Sequence, residues 1–341
     1  MLAARFVLKT SLNGVGHQIF PISKTASCTG NTSLSIRIQR IQRYASQSRG
    51  TYGRTVRRRT LKETLMAPAT DTAFTIGKGA VAGASAFGIG ALCYYGIGLS
   101  NEVGAIDKVV IWPEYVRDRI KSTYLYFGGS VAITAASAIS VFQSKALMNL
   151  MMKNSWMAIA ATLGAMIGSG MIARSLPYEK GFGKKQLAWM AHSGICGAVI
   201  APLCLVGGPI LIRAACYTAG IVGGLSLVAA CAPSEKFLTM GGPLAIGLGV
   251  VFASSLGSMF LPPTTALGAG LYSISLYGGL ILFSGFLLYD TQRIIKKAEL
   301  YPYYGAYPYD PVNASISIYM DTLNIFVRIV QILAGGGGRR K

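Results

Sequence analysis

Apolar segments long enough to cross a lipid bilayer follow one another along most of this 341-residue chain. A span needs about 20 mostly apolar residues, because the hydrocarbon core is about 30 Å thick and a helix rises about 1.5 Å per residue. Eight such segments are predicted, at 79–99, 123–143, 156–173, 187–206, 209–231, 239–261, 266–289 and 312–334. The sequence therefore predicts an all-α, polytopic membrane helix bundle. The last segment is the weakest, since it contains Asn313, Asp321, Asn324 and Arg328, and is compatible with a partial or re-entrant helix.

Composition supports the same class. Hydrophobic residues make up 52% of the chain and charged residues only 13%, whereas a soluble domain is about 25% charged. The connecting loops are short apart from 100–122 and 290–311. This leaves little room for a soluble catalytic domain, so the functional site is expected inside the membrane.

The N-terminal region is strongly basic. Residues 1–62 contain twelve Lys and Arg and no acidic residue, and Glu63 is the first acid. This Arg-rich, Ser-containing composition is typical of a mitochondrial presequence, and 63–78 is interpreted as a linker to an extra N-terminal span at 79–99. The alternative is a basic arm that binds RNA. No RNA-binding motif accompanies the charges, so nucleic acid is not an expected partner.

Glycine is abundant, at 42 residues, and much of it lies within the predicted spans. Two pairs, Gly164 with Gly168 and Gly220 with Gly224, have the GxxxG spacing that places both glycines on one helix face. Such faces allow helices to approach closely in lipid. The pattern predicts a tightly packed bundle and carries no information on chemistry.

Two acidic residues occur where a charge is costly. Asp290 ends the seventh apolar run, in GFLLYDTQRII, and Asp321 lies about nine residues into the eighth, in SIYMDTLNIF. A carboxylate at bilayer depth costs about 2.5 to 3.5 kcal/mol, so it usually faces water, a cation or a basic partner. The two segments leave and re-enter the membrane on one side, so the carboxylates can approach each other. Their different depths would require a tilted or broken last helix.

A carboxyl pair in a medium of low dielectric constant cannot ionise freely, so it responds to protons and cations alike. Calcium takes six to eight oxygen ligands, and two aspartates would supply only part of that shell. Backbone carbonyls and water would have to complete it. Asp290 and Asp321 are therefore the predicted ion-binding and pH-sensing residues, with calcium as a transient metal.

Buried ion pairs are the main alternative role for these aspartates. Asp290 lies one helical turn from Arg293, and Asp321 is seven residues from Arg328. Arg174 and Arg213, near the ends of other spans, are further charge partners unless their side chains extend to the membrane surface. Such extension is common for basic residues near span ends.

Other chemistry finds little support in the sequence. The only histidine outside the presequence, His192, is expected to be a hydrogen-bonded core residue. The chain has no GxxxxGK[ST], HExxH or GxSxG motif, so neither an ATP-driven pump nor an enzyme is expected. An intramembrane hydrolase would need a Ser-His or Asp-Asp catalytic pair.

The surroundings of the two aspartates resemble a known family. LLYDTQRII and SIYMDTLNIFVRIVQIL are similar to the paired aspartate signatures of the transmembrane Bax-inhibitor-motif family. The strings ALCYYGIGLSNEVGAI, HSGICGAVIAPL, RAACYTAGIVGGLS, CAPSEKFL and SSLGSMFLPPTT resemble its mitochondrial member, from about residue 76 to the C-terminus. The resemblance implies a seven-helix core at 123–334 with a short last helix. Residues 335–341 then form a basic, Gly-rich tail.

The resemblance also implies a function. It suggests a pH-sensitive calcium path gated by Asp290 and Asp321, with calcium and proton exchange and no cofactor. The implied setting is the mitochondrial inner membrane, with crista organisation and restraint of apoptotic cytochrome c release. Inner-membrane lipid, cytochrome c and crista-organising or protease proteins are the implied partners.

One feature departs from the family pattern. Some members pair an acid in the second core helix with a following arginine, whereas WMAIAATLGAMIGSGMIAR keeps Arg174 and has no acid. An arginine latch is therefore not carried over. A structural scaffold of the inner membrane, without transport of its own, stays open as the alternative function.

Overall fold

The computed structural model describes residues 60–96, 104, 112–152, 156–233, 235–301 and 309–336, and this part of the chain is helical without any β-strand. The helices are α1 Leu61–Leu65, α2 Thr72–Gly96, α3 Glu114–Gln143, α4 Lys145–Met151, α5 Trp156–Ser175, α6 Lys184–Ile200, α7 Gly208–Cys231, α8 Gly241–Phe260, α9 Ala266–Ser273, α10 Gly279–Leu300 and α11 Pro311–Gly336. A 3₁₀ segment, Ala201–Val206, extends α6. A π-helical turn, Ile274–Gly278, joins α9 to α10 in one continuous segment.

Eight helical segments in the described part of the chain are long and apolar enough to cross a membrane. They run Thr72–Tyr95, Glu114–Gln143, Met157–Ser175, Lys184–Val206, Gly208–Cys231, Leu238–Phe260, Ala266–Leu300 and Pro311–Gly335. The predicted all-α, polytopic membrane bundle is confirmed. The predicted presequence lies almost wholly outside the described residues, as does most of the tail at 335–341.

Several predicted boundaries were wrong, for one physical reason. The predicted linker 63–78 contains the end of α1 and the start of α2. Residues 114–122 of the predicted loop 100–122 belong to α3. The seventh span continues past Asp290 to Leu300. Hydropathy predicts that a span ends at the first charged residue. A helix can continue beyond that residue, because charged side chains near its ends reach water.

The last helix, α11, lies in the centre of the bundle. It packs against α3, α7 and α10, with smaller contacts to α5 and α6. In the apolar part of α11, 61% of the residues are buried, whereas the corresponding share is 6% in α2 and in α5. The prediction of a partial, re-entrant or short last helix was wrong, because the polar residues that weaken its hydropathy face other helices and not lipid.

The two GxxxG pairs do not produce the close packing that their spacing predicts. A Cβ added at Gly164, Gly168, Gly220 or Gly224 would meet nothing within 4 Å. Close approaches occur at glycines outside this motif. At Gly197, for example, an added Cβ would overlap the carbonyl oxygen of Thr134 on α3.

An ion pair with a buried lysine anchors the start of α11. Asp310 caps the helix, since its Oδ1 accepts a hydrogen bond of 3.0 Å from the backbone N–H of Asn313, and Pro311 occupies the first helical position. The other oxygen, Oδ2, lies 2.5 Å from Nζ of Lys185, whose side chain is 1% exposed. Lys185 also donates to the carbonyl of Leu176, at 2.7 Å. This network ties α11 to the connection between α5 and α6.

Replacing Lys185 by Met is expected to destabilise the protein by about 1–3 kcal/mol, because it removes the partner of a carboxylate that is 22% exposed and also the hydrogen bond to the carbonyl of Leu176. Thermal unfolding of the purified protein in detergent measures the effect. Lys296→Met is a matched control. Lys296 forms an ion pair of the same length with Glu235, but the Glu235 side chain is 70% exposed, so the loss should be about 0–1 kcal/mol. Equal losses in the two variants would contradict this interpretation.

Candidate functional site

The two predicted site aspartates lie at the same depth in the bundle. Asp290 is ten residues before the end of α10, and Asp321 is ten residues after the start of the antiparallel helix α11. Both are therefore roughly 15 Å, along the helix axis, from the end of the bundle at which α10 ends and α11 begins. We call this the near side and the opposite one the far side. The expectation of a tilted or broken last helix was wrong, because α10 continues beyond Asp290 as a regular helix.

The two carboxyl groups form one buried unit. Asp290 is 7% exposed and Asp321 is 6% exposed, and their carboxyl groups lie within hydrogen-bonding reach of each other. The hydroxyl of Ser317, one turn before Asp321, also reaches Asp290. Apart from the neighbouring carboxyl group, no donor among the described residues reaches Oδ2 of Asp321. Two carboxylates have no proton to share, so the pair holds together only around a proton or a cation.

Two of the four predicted basic partners lie near this pair. Arg293 places Nη1 3.8 Å from Oδ1 of Asp290, a long contact from a side chain that is 49% exposed. Arg174, at the end of α5, lies close enough for its charge to act on both carboxyl groups. Its backbone carbonyl accepts a hydrogen bond from Nδ2 of Asn313, which orders the near-side end of α11 beside it.

The other two basic residues lie elsewhere. Arg213 is exposed near the start of α7. It lies at the far side, because the opposite end of α7 contacts Gln292 on the near-side half of α10. Arg328 does not pair with Asp321, and the ion pair suggested by their seven-residue spacing was wrong. Its guanidinium instead binds backbone and amide oxygens of Ser275 and Asn324.

Polar side chains follow one face of α11 across most of its length. They recur at intervals of three or four residues, which keeps them on the same side of a helix. The series is Asn313, Ser317, Asp321, Asn324, Arg328 and Gln331. It extends over about 27 Å along the helix axis. The spacing was present in the sequence as a signal, but of this series only Asp321 and Arg328 were predicted to belong to the site.

His192 belongs to a separate buried network. Its Nδ1 lies 2.9 Å from Oγ of Ser169, and its Nε2 lies 3.8 Å from the sulfur of Cys196. At 2% exposure it is the hydrogen-bonded core residue that the sequence predicted. No group of three or more His, Cys, Asp or Glu side chains that could hold a metal occurs among the described residues.

Comparison with known proteins establishes the family. The model described as inhibitor of apoptosis-promoting Bax1 (Bax1-I) matches residues 116–338. The chain belongs to the Bax1-I family. The match covers seven of the eight membrane spans and both aspartates, and it leaves α2 outside.

Individual relatives support this assignment. Growth hormone-inducible transmembrane protein of Rattus norvegicus is 56% identical over 346 residues, an alignment that covers 100% of both chains. An uncharacterised protein of Helicobacter pylori is 30% identical over 244 residues, which cover 69% of this chain and 93% of that protein. Bax inhibitor 1 of Rattus norvegicus is 35% identical over 133 residues, or 39% of this chain and 52% of that protein. No solved structure matches the chain.

Replacing Asp321 by Asn is expected to leave stability unchanged or to raise it by about 1 kcal/mol. An amide has nearly the shape of a protonated carboxyl group and can donate the hydrogen bond to Asp290 without a shared proton. Asp321→Leu keeps the branching of the side chain but removes the donor, and should destabilise by about 1–3 kcal/mol. Thermal unfolding in detergent compares the two variants. A strongly destabilised Asp321→Asn protein would contradict a carboxyl pair that holds a proton.

Proposed function

We propose that this Bax1-I family protein exchanges calcium for protons across the mitochondrial inner membrane, with Asp290 and Asp321 as the shared binding site. The observation that carries the proposal is the burial of two carboxyl groups side by side, at equal depth, in the middle of a membrane bundle. Calcium and protons compete for such a pair, because a bound cation supplies the positive charge that a proton supplies in its absence.

The surroundings of the pair provide further oxygen atoms. Oδ2 of Asp321 is buried and, apart from the neighbouring carboxyl group, has no donor among the described residues, and the hydroxyl of Ser317 lies beside Asp290. A hard cation binds oxygen ligands of this kind, with water completing the shell. Calcium is the transported ion in this proposal and no cofactor or catalytic residue is required.

The site is better suited to exchange than to permanent metal binding. Two carboxylates and a few neutral oxygens give a weak calcium site, and Arg174 and Arg293 at the near side reduce its affinity further. Ions that must leave again need such moderate binding. Protonation of the pair then provides the step that releases calcium.

The cellular setting is proposed from the basic N-terminal region and the relatives. An acid-free sequence with twelve Lys and Arg favours import into mitochondria. The family name, inhibitor of apoptosis-promoting Bax1, favours a role in restraining apoptosis, here through cytochrome c retention and crista organisation. Inner-membrane lipid and crista-organising or protease proteins are the proposed partners.

Purified protein in liposomes tests the transport function directly. Asp290→Asn and Asp321→Asn should each abolish pH-dependent calcium flux, measured with a calcium dye under a controlled pH gradient, because an amide cannot exchange a proton for a cation. Asp118→Asn is the matched control, since Asp118 is an exposed carboxylate near the start of α3 at the same membrane side. Native flux in both site variants would refute the assignment.

A scaffolding role is the second candidate function. The observation that favours it is that the glycine pairs of α5 and α7 have open space beside them, as expected for faces that pack against helices of another chain. The aspartate variants separate the two functions. Normal crista shape with lost calcium flux would assign transport to the pair, whereas lost assembly with native flux would favour scaffolding.

A further inference from the structure

Arg328 is a buried positive charge without an acidic partner in the described part of the chain. Its side chain is 7% exposed, and the three ion pairs found there involve other residues. An arginine inside a membrane span is costly and usually marks a functional position. Its role therefore requires an explanation beyond pairing with Asp321.

The guanidinium of Arg328 is held rigidly. Nη1 donates to the backbone carbonyl of Asn324 at 3.0 Å and to its side-chain oxygen at 3.2 Å. Nε donates to the carbonyl of Ser275 at 3.3 Å, within the π-helical turn. The ring of Phe283 lies 4.6 Å below the guanidinium carbon, a distance suited to a cation–π contact.

Gly279 makes room for this arrangement. A Cβ built on Gly279 would overlap the guanidinium of Arg328, so any larger residue would displace the charge. The positive charge thus occupies one fixed position between α11 and the junction of the π-helical turn with α10. These contacts hold the guanidinium about two helical turns from the carboxyl pair.

The position of this charge relative to the carboxyl pair is informative. Arg328 follows Asp321 by two helical turns, about 10 Å along the axis, and both side chains face the α9–α10 segment. The polar face of α11 continues from the near side past Asp321 to Arg328. A cation that moved on from the pair towards the far side along this face would meet a fixed positive charge.

We propose that Arg328 couples the movement of calcium to that of protons. Its fixed guanidinium repels calcium from the far half of the α11 polar face. A cation bound at the carboxyl pair then cannot cross the bundle as it would cross an open channel. It leaves only when protons replace it and the helices rearrange. This inference rests on the proposed calcium and proton exchange at Asp290 and Asp321.

The number of protons moved per calcium ion tests the proposal. Calcium and pH dyes, used together in proteoliposomes, measure both fluxes for the native protein, Arg328→Gln, Arg328→Lys and Arg213→Gln. Loss of a unit charge about 10 Å from a divalent ion, at an effective dielectric constant of about 20, should raise uncoupled calcium flux roughly 300-fold in Arg328→Gln. Its proton-to-calcium ratio should fall accordingly.

Two variants serve as controls. Arg328→Lys retains the charge and should keep a ratio close to the native one. Arg213→Gln removes an exposed charge at the same far side and should keep the native ratio. A purely structural role for Arg328 would change the amount of folded protein but not the ratio of the two fluxes.

The outcomes separate this inference from the proposed function. A native ratio in folded Arg328→Gln, while Asp321→Asn abolishes exchange, would overturn the role of Arg328 alone. Absence of coupled flux in the native protein would overturn both. If Arg328→Gln does not fold, Gly279→Ala tests the proposal, because the added methyl group displaces the guanidinium without removing its charge. An unchanged proton-to-calcium ratio in Gly279→Ala would also overturn the proposal.

Discussion

The structure depends on the enclosure of one polar helix face. Lipid offers no hydrogen-bond partners, so polar side chains in a span must face other helices or water. In α11 that requirement applies along almost the whole length, from Asn313 to Gln331. The helix is consequently surrounded by α3, α7 and α10, and the more uniformly apolar spans of α2 and α5 lie at the outside, where most of their surface is exposed.

Much of this arrangement could be predicted from the sequence, and the reasons for the failures are physical. Hydropathy identified all eight spans, and the cost of a buried carboxylate identified Asp290 and Asp321, because both signals are local. Helix ends were misplaced where charges occur within the last turns. The Lys185–Asp310 pair joins residues 125 positions apart, and no local pattern indicates which lysine an aspartate will meet.

Motif spacing alone proved a poor guide to contacts. The GxxxG pairs face open space, and the seven-residue interval between Asp321 and Arg328 does not produce an ion pair. In both cases spacing correctly predicts which residues share a helix face, but the tertiary arrangement decides what that face meets. The two aspartates meet because α10 and α11 are antiparallel neighbours, a constraint of chain connectivity that the sequence does contain.

The π-helical turn and Arg328 are best understood together. A π-helical turn widens the helix and changes the regular i to i−4 hydrogen-bond pattern, and here the carbonyl of Ser275 accepts a hydrogen bond from Arg328. The hydroxyl of Ser275 lies 2.6 Å from that of Ser255 on α8. One hydrogen-bonded chain therefore links α8, the turn and α11 on the far-side half of α11. At the near side, Lys185 and Asp310 hold the other end of α11. With α11 tied on both sides of the carboxyl pair, a rearrangement of the kind that the proposed exchange requires would involve the helices packed around α11 more than α11 itself.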